Sequence, residues 1–194
     1  MKVAIIKYNA GNVKSVSFEL KRLGVDYICT HDIDEIKSAD KVIFPGVGEA
    51  STTMKYLCDK NLDRLIPALK QPVLGICLGM QLLCSRSEEN DTRCLGVFDE
   101  SVIKLRPQDK IKVPHVGWNN IQIASDWLNP QLQNQYVYFV HSYYVPISLS
   151  TSATTRYITP FSAAMRKQNF FGVQFHPEKS AAAGELVLKS FLQQ

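Results

Sequence analysis

A chain of 194 residues, 45% hydrophobic and 21% charged, is long enough to bury a sizeable core and has the balance of an ordinary globular protein. Its net charge of +4 comes from Lys and Arg scattered along the chain, with no clustered basic face, so no nucleic-acid partner is expected. No run is long enough to span a bilayer, and Val3-Ala4-Ile5-Ile6 is too short for a signal-peptide core, so no membrane contact and a cytoplasmic location are expected.

Residues 2–7 form an apolar run bounded by the turn cluster Tyr8-Asn9-Ala10-Gly11-Asn12 and read as a buried strand. Val13, Val16, Leu20 and Leu23 recur at helical spacing up to Gly24. A second strand follows over 26–30, a short helix over 34–39 and a third strand over 41–44, ending in Pro45-Gly46-Val47-Gly48. A helix over 49–58 and a fourth strand over 73–76 lead into Cys77 and a helix to residue 84. Alternating strands and helices predict a mostly parallel central sheet flanked by helices, with reactive groups at the carboxyl ends of the strands. Beyond Glu88 the segments 97–105, 120–123, 136–141, 153–157 and 170–175 read as strands without long helices between them, adding mixed or antiparallel strands to this α/β fold. A helix over 181–192 closes the chain. No repeat or linker interrupts it, and residues 1–194 read as one domain.

The five cysteines (Cys29, Cys58, Cys77, Cys84, Cys94) are odd in number, irregularly spaced and without a CxxC pair, which argues against disulfides or a zinc site. Most read as small buried hydrophobes. Cys77 differs. In Gly75-Ile76-Cys77-Leu78-Gly79-Met80-Gln81 a strand meets a helix at a cysteine with glycines two residues away on each side. This is the cysteine form of a nucleophile elbow. The sulfur is expected to stand exposed at the head of the helix, where backbone N–H groups and the dipole favour negative charge. The Leu78 N–H is placed to donate to an oxyanion. The bland reading is a packed cysteine between two sheet-packing glycines.

Gly172-Val173-Gln174-Phe175-His176-Pro177-Glu178 answers that reading. Pro177 ends strand pairing, and residues two apart in extended backbone share a side, so Glu178 can accept from the His176 imidazole. Cys77, His176 and Glu178 then make nucleophile, base and orienter. This requires the strand over 170–175 to run parallel to the central strands. His31 reads as a solvent-facing turn residue. His115 and His141 lack a carboxylate close in sequence, and no metal site is expected from them.

The blocks 75–81 and 174–178 together resemble the signature of class I glutamine amidotransferases. Within that class, Phe44-Pro45-Gly46-Val47-Gly48, Val113-Pro114-His115-Val116-Gly117-Trp118-Asn119, Phe139-Val140-His141-Ser142-Tyr143-Tyr144 and Lys179-Ser180 resemble the glutaminase subunits of imidazole glycerol phosphate synthases. The resemblance spans essentially the whole chain. It implies hydrolysis of L-glutamine through a Cys77 thioester, with no cofactor. It implies a heterodimer with a barrel-shaped cyclase subunit that uses the ammonia to make imidazole glycerol phosphate and an aminoimidazole carboxamide ribonucleotide, on the route to histidine. Gly46, Val47 and Gly48 match the family's oxyanion strand, with Val47, Gly48 and Leu78 as oxyanion donors. Gly46, Gln81, Ser142 and Tyr143 match segments that hold the glutamine.

Each of these residues also has a structural reading: a Pro-Gly turn at 45–48, a capping role for Gln81, aromatic packing at 143. The segment 114–119 reads as a shaped loop. His115, Trp118 and Asn119 are assigned to the partner-facing surface, with an exposed Trp as anchor. Lys179, directly after Glu178, is expected to sense the docked partner. One departure stands out: the family's Asp-Tyr-Gly before Gly-Asn is replaced by Lys7-Tyr8-Asn9-Ala10. Three other readings stay open. One is a paralogous glutaminase feeding another synthase, such as one for surface-sugar amidination; another is an idle partner-binding scaffold. The third is a stand-alone cysteine hydrolase, against which the isolated chain is expected to be a poor glutaminase, with a peptide at Val47 misaimed until the partner docks.

Overall fold

The computed structural model describes residues 1–8, 12–108 and 111–194. The Asn9 to Gly11 part of the first turn, where the sequence departs from the family pattern, lies outside the described residues.

The first half alternates strands with helices, two helices in succession preceding the fourth strand. It runs β1 (Lys2–Ile6), α1 (Val13–Arg22), β2 (Asp26–Thr30), α2 (Ile33–Ser38), β3 (Lys41–Phe44), α3 (Ala50–Asp59), α4 (Leu62–Ala68), β4 (Val73–Ile76) and α5 (Leu78–Leu83). The second half holds the short strands β5 (Arg86–Ser87), β6 (Thr92–Arg93), β7 (Ser101–Lys104), β8 (His115–Asn120) and β9 (Gln122–Ile123). It continues with β10 (Tyr136–His141), β11 (Tyr143–Tyr144), β12 (Thr151–Arg156), β13 (Pro160–Lys167), β14 (Phe170–Val173) and α6 (Ala181–Leu192).

Eight strands form the main sheet in the order β2-β1-β3-β4-β14-β13-β12-β9. Pairing is parallel from β2 to β14 and antiparallel from β14 to β9. Successive residues of a strand point to opposite faces, so a strand covered on both sides must be apolar throughout. In β1, Ala4 and Ile6 enter one core while Val3 and Ile5 enter the other. The first core is closed by Ile36, Leu57, Leu62 and Leu82 from α2, α3, α4 and α5. The second is closed by Val16 and Leu20 of α1 and by Val187, Leu188 and Phe191 of α6. Each such fully buried side chain contributes about 1.5–3 kcal/mol by burial alone.

Two expectations about the elements are corrected here by the structure. The segment 114–119 is not a loop: β8 pairs antiparallel with β10, Trp118 opposite Tyr138. The strand expected over 97–105 is limited to Ser101–Lys104, because the N–H groups of Val97 and Phe98 turn back to Leu83 O at 2.9 Å and satisfy the end of α5. Helix α4 and strand β13 were not expected. The Pro-Phe-Ser-Ala-Ala run of β13 has weak strand propensity and is held by pairing to β12 and β14 on its two sides.

Candidate active site

Strands β4 and β14 run parallel in register, Ile76 beside Val173. Their carboxyl ends therefore deliver Cys77 and His176 to one edge of the sheet, which is the condition the sequence reading required. Cys77 N donates to Val173 O at 2.7 Å, and His176 N donates to Tyr138 O at 2.9 Å. Cys77 has φ 52° and ψ −109°, a left-handed strand-to-helix turn. A non-glycine residue held there costs about 1–3 kcal/mol and persists only where its surroundings over-determine it. Two glycines supply that closure. A Cβ on Gly79 would lie 1.9 Å from Phe44 O, and one on Gly46 would lie 2.3 Å from Gly79 N. The end of β3 and the head of α5 thus touch through backbone. The sulfur is not exposed as expected: Cys77 is 7% accessible and opens only into a cavity.

Pro177 starts a single 3-10 turn over Pro177–Lys179, which bends Glu178 back beside His176. His176 Nδ1 and Glu178 Oε1 are 2.7 Å apart, and both side chains are wholly buried. That bond directs Nε2 of the ring away from the carboxylate. Nε2 is buried and has no hydrogen-bond partner among the described residues. Burial lowers the ring's proton affinity. A negative Cys77 sulfur and the Glu178 carboxylate outweigh it, and the imidazole is pushed up to about 10.

Asn12, which sequence reasoning did not single out, donates from Nδ2 to Glu178 Oε1 and lies 3.3 Å from His176 Nδ1. It is the N-cap residue of α1, yet its side chain makes no capping bond. An Asn ahead of a predicted helix reads as a cap, and nothing local marks it as a partner for a carboxylate 166 residues away.

The cavity holds about 320 Å³. Cys77 and His176 line it together with Val47, Gly48, Leu78, Gln81, Ser142 and Tyr143, all of which the sequence had placed at the site. Gly46 does not line it; the residue is packed under Leu78 and Gly79, where a side chain would collide. Gly48 has φ +120°, outside the range other residues favour, and Glu49 next to it caps α3 by accepting from Ser51 N and Thr52 N at 2.7 and 2.8 Å. Gln81 Nε2 donates to Tyr143 O and to Gln174 Oε1, both at 2.9 Å, which leaves its Oε1 for a ligand.

Glu89, not foreseen, supplies a carboxylate to the wall. Burial raises its carboxyl above the usual range, although Ala50 N donates to it at 2.8 Å. Only the 3-10 turn after β5 brings it there, and its polar sequence neighbours Glu88 and Asn90 do not set it apart.

The remaining expected positions divide. His115 is buried, not surface-facing: its ring stacks on Tyr157 and Phe139 at centroid distances of 4.0 and 4.9 Å. Its Nδ1 lies 3.1 Å from His141 Nε2. Alternation along β8 explains the difference, because His115 and Trp118 have opposite parity and point to opposite faces. Trp118 is exposed, as are Val116 and Tyr136 on the outer face of the same ribbon. Asn119 is half-buried and donates to Arg156 O at 2.9 Å. Lys179 is exposed, with Nζ 5.9 Å from the Tyr138 ring centre, and Tyr138 in turn meets Trp118 edge-on at 6.0 Å. This apolar face adjoins the cavity through Val140 and Pro114. No helix of the described residues is long and apolar enough to cross a membrane.

The family model "Glutamine amidotransferase class-I" matches residues 4–194. The imidazole glycerol phosphate synthase subunit HisH of Bacteroides fragilis is 57% identical over 195 residues, covering 100% of both chains. That of Bacteroides thetaiotaomicron is 56% identical over 194 residues, covering 99% of each. Among solved structures, a crystal structure of a glutamine amidotransferase superposes with TM-score 0.77 at 16% identity, covering 98% of this chain and 97% of the other. PurLQS from Thermotoga maritima superposes with TM-score 0.72 at 13% identity, covering 99% and 97%. These last two bear on the fold alone.

Proposed function

The chain belongs to the class I glutamine amidotransferases, among the HisH subunits of imidazole glycerol phosphate synthase, and from that premise we propose that its cavity hydrolyses L-glutamine and hands the ammonia to a cyclase subunit docked on the β8–β10 face. The observation that carries the reading is the placement of His176, oriented by Glu178 at 2.7 Å, beside Cys77 in one cavity.

Glutamine enters with its side-chain amide toward Cys77. Its α-ammonium group pairs with Glu89 and with Gln81 Oε1, and its α-carboxylate takes main-chain donors at Ser142 and Tyr143. The Cys77 sulfur attacks the amide carbon, and its proton resides on His176. The oxygen takes up negative charge and is met by N–H groups of Val47 or Gly48 and of Leu78. The C–N bond breaks as His176 returns the proton to nitrogen, releasing ammonia and leaving a γ-glutamyl thioester. Water, deprotonated by His176, attacks the thioester; the C–S bond breaks and glutamate leaves. Glu178 keeps its negative charge throughout and holds the ring's orientation and the imidazolium.

Trp118, Val116, Tyr136 and Tyr138 form the apolar surface for the partner, with Lys179 at its edge beside the orienting carboxylate. In the complex the chain works in histidine biosynthesis in the cytoplasm. The test is co-purification of the bound synthase, followed by glutamate release measured with and without that synthase's nucleotide substrate. The expected result is slow turnover by the isolated chain and a large stimulation in the liganded complex. Full activity of the isolated chain would instead make it a stand-alone hydrolase. No turnover in any state, with Cys77 inert to a glutamine-mimicking electrophile, would make it a scaffold.

A further inference from the structure

Gln174 is fully buried, one strand away from the nucleophile, and its side-chain nitrogen Nε2 points at Cys77 Sγ at 3.6 Å. The direction of that amide is set by a chain of hydrogen bonds whose polarity admits no reversal. Tyr143 O can only accept. The Gln81 atom facing it at 2.9 Å is therefore the amide nitrogen. The second hydrogen of that nitrogen goes to Gln174 at 2.9 Å, so the facing atom of Gln174 must be its carbonyl oxygen. The remaining end of Gln174, an N–H donor, is left aimed at sulfur. His141 Nδ1 supports the start of the chain by donating to Tyr143 O at 2.8 Å, and His115 Nδ1 donates to His141 Nε2 at 3.1 Å. Sγ itself lies 3.8 Å from Val140 O.

We propose that Gln174 is a further catalytic residue, whose Nε2–H hydrogen-bonds the Cys77 sulfur and holds negative charge on it, and that Gln81 fixes the polarity of this donor. A neutral N–H donor in a largely buried site stabilises an anion that is only partly solvated. The donor acts on the sulfur both before attack on glutamine and when the thioester breaks, since both states place charge there. Gln81 thereby serves the nucleophile through Gln174 as well as the ligand through Oε1. The titratable groups around the sulfur are His176, Tyr8 and His141. Burial and a negative Cys77 raise the Tyr8 phenol, and burial keeps His141 neutral, so neither supplies a cation in place of Gln174.

The role rests on Cys77 being the nucleophile, and the test keeps the two apart by using no glutamine. The full-length chain is treated with iodoacetamide, and alkylation is followed on the Cys77 peptide by mass spectrometry, apart from Cys29 and Cys58. Gln174→Met removes the donor at similar volume. The expected result is alkylation about tenfold slower than wild type near neutral pH and equal to it in strongly alkaline buffer, where the thiolate forms unaided. Gln81→Met, which does not touch the sulfur, frees the Gln174 amide to turn and is expected to move the profile the same way. A Gln174→Met protein with an unmoved profile, or slowed equally at both pH values, overturns the role. If Gln174→Met does not fold, the Gln81→Met profile decides, and an unmoved one overturns it. Wild-type Cys77 that resists alkylation at every pH tested would remove Cys77 as the nucleophile. A wild-type pH dependence that the variants leave unchanged removes only Gln174.

Discussion

Asn12 and Glu178 are joined by a buried hydrogen bond from Nδ2 to Oε1, the same carboxylate oxygen that lies 2.7 Å from His176 Nδ1. The acid that orients the imidazole is thus itself held, from the head of α1. Its other oxygen is buried without a partner among the described residues, so Asn12 carries much of the task of keeping it in place. Replacing Asn12 by Ala removes one hydrogen bond to a buried charge. The expected effect is a kcat for glutamate release lower by about tenfold, with KM for glutamine changed less than about twofold. Asn12 is a positioning residue, and a fall confined to KM would contradict that.

Glu178→Gln keeps the shape and removes the charge that stabilises the imidazolium. Glutaminase activity of the complex is expected to drop by about a hundredfold or more, with the protein still folded and still binding its partner. Isothermal titration with the cyclase checks the second part.

Glu89 lines the cavity, and the proposed reading pairs it with the α-ammonium group of glutamine. Glu89→Gln should raise KM for glutamine about tenfold or more and leave kcat within a few fold, because the α-ammonium group stays away from the reacting bond. Equal loss in kcat would move Glu89 into the chemical step.

The buried pair His115 and His141 makes stability depend on pH. Burial pushes them down to about 4 and about 3 respectively, the latter also by its neighbour His115. Unfolded, each titrates near its ordinary value of 6.5. Below that value the unfolded chain binds protons that the folded one refuses, so stability is full above it and falls as the pH drops toward 4. At about pH 5 the loss is on the order of 2 kcal/mol per ring, less for the pair than the plain sum because the rings interact. Urea unfolding at successive pH values measures it. His115→Phe, which keeps a ring between Phe139 and Tyr157, should remove about half of that slope.

Trp118 is half exposed on the outer face of β8, in edge contact with Tyr138. Trp118→Ala should weaken cyclase binding by about tenfold or more. Alkylation of Cys77 in the isolated chain should be unaffected, since no part of the indole lines the cavity.

Much of the molecule is legible before it is folded. Strands β2, β3, β4 and β10 and helix α6 lie where the apolar runs and turn residues put them, because each is buried on at least one side and its pattern is repeated within a few residues. Strand β13 and the ribbon strand β8 are not legible in this way. Their residues do not favour strands, and only neighbours distant in sequence supply the hydrogen bonds. The same distinction separates the site residues. Cys77, His176 and Glu178 sit in local blocks whose glycines, proline and spacing already describe a turn and a paired imidazole. Asn12 and Glu89 carry no such local mark, and Gln174, though inside the second block, has nothing local that aims its amide at Cys77.

By itself, then, the amino-acid sequence determined which residue is the thiol at the elbow and which imidazole and carboxylate share a strand end, because these depend on backbone geometry within seven positions of one another. The tertiary structure alone decided that β14 pairs parallel to β4 and so brings the two blocks to one edge. It also decided that His115 faces inward while Trp118 faces out, and that the Gln174 amide presents nitrogen and not oxygen to Cys77. Each of those outcomes depends on which partner satisfies a buried polar group or covers an apolar face, and such partners are chosen across the fold.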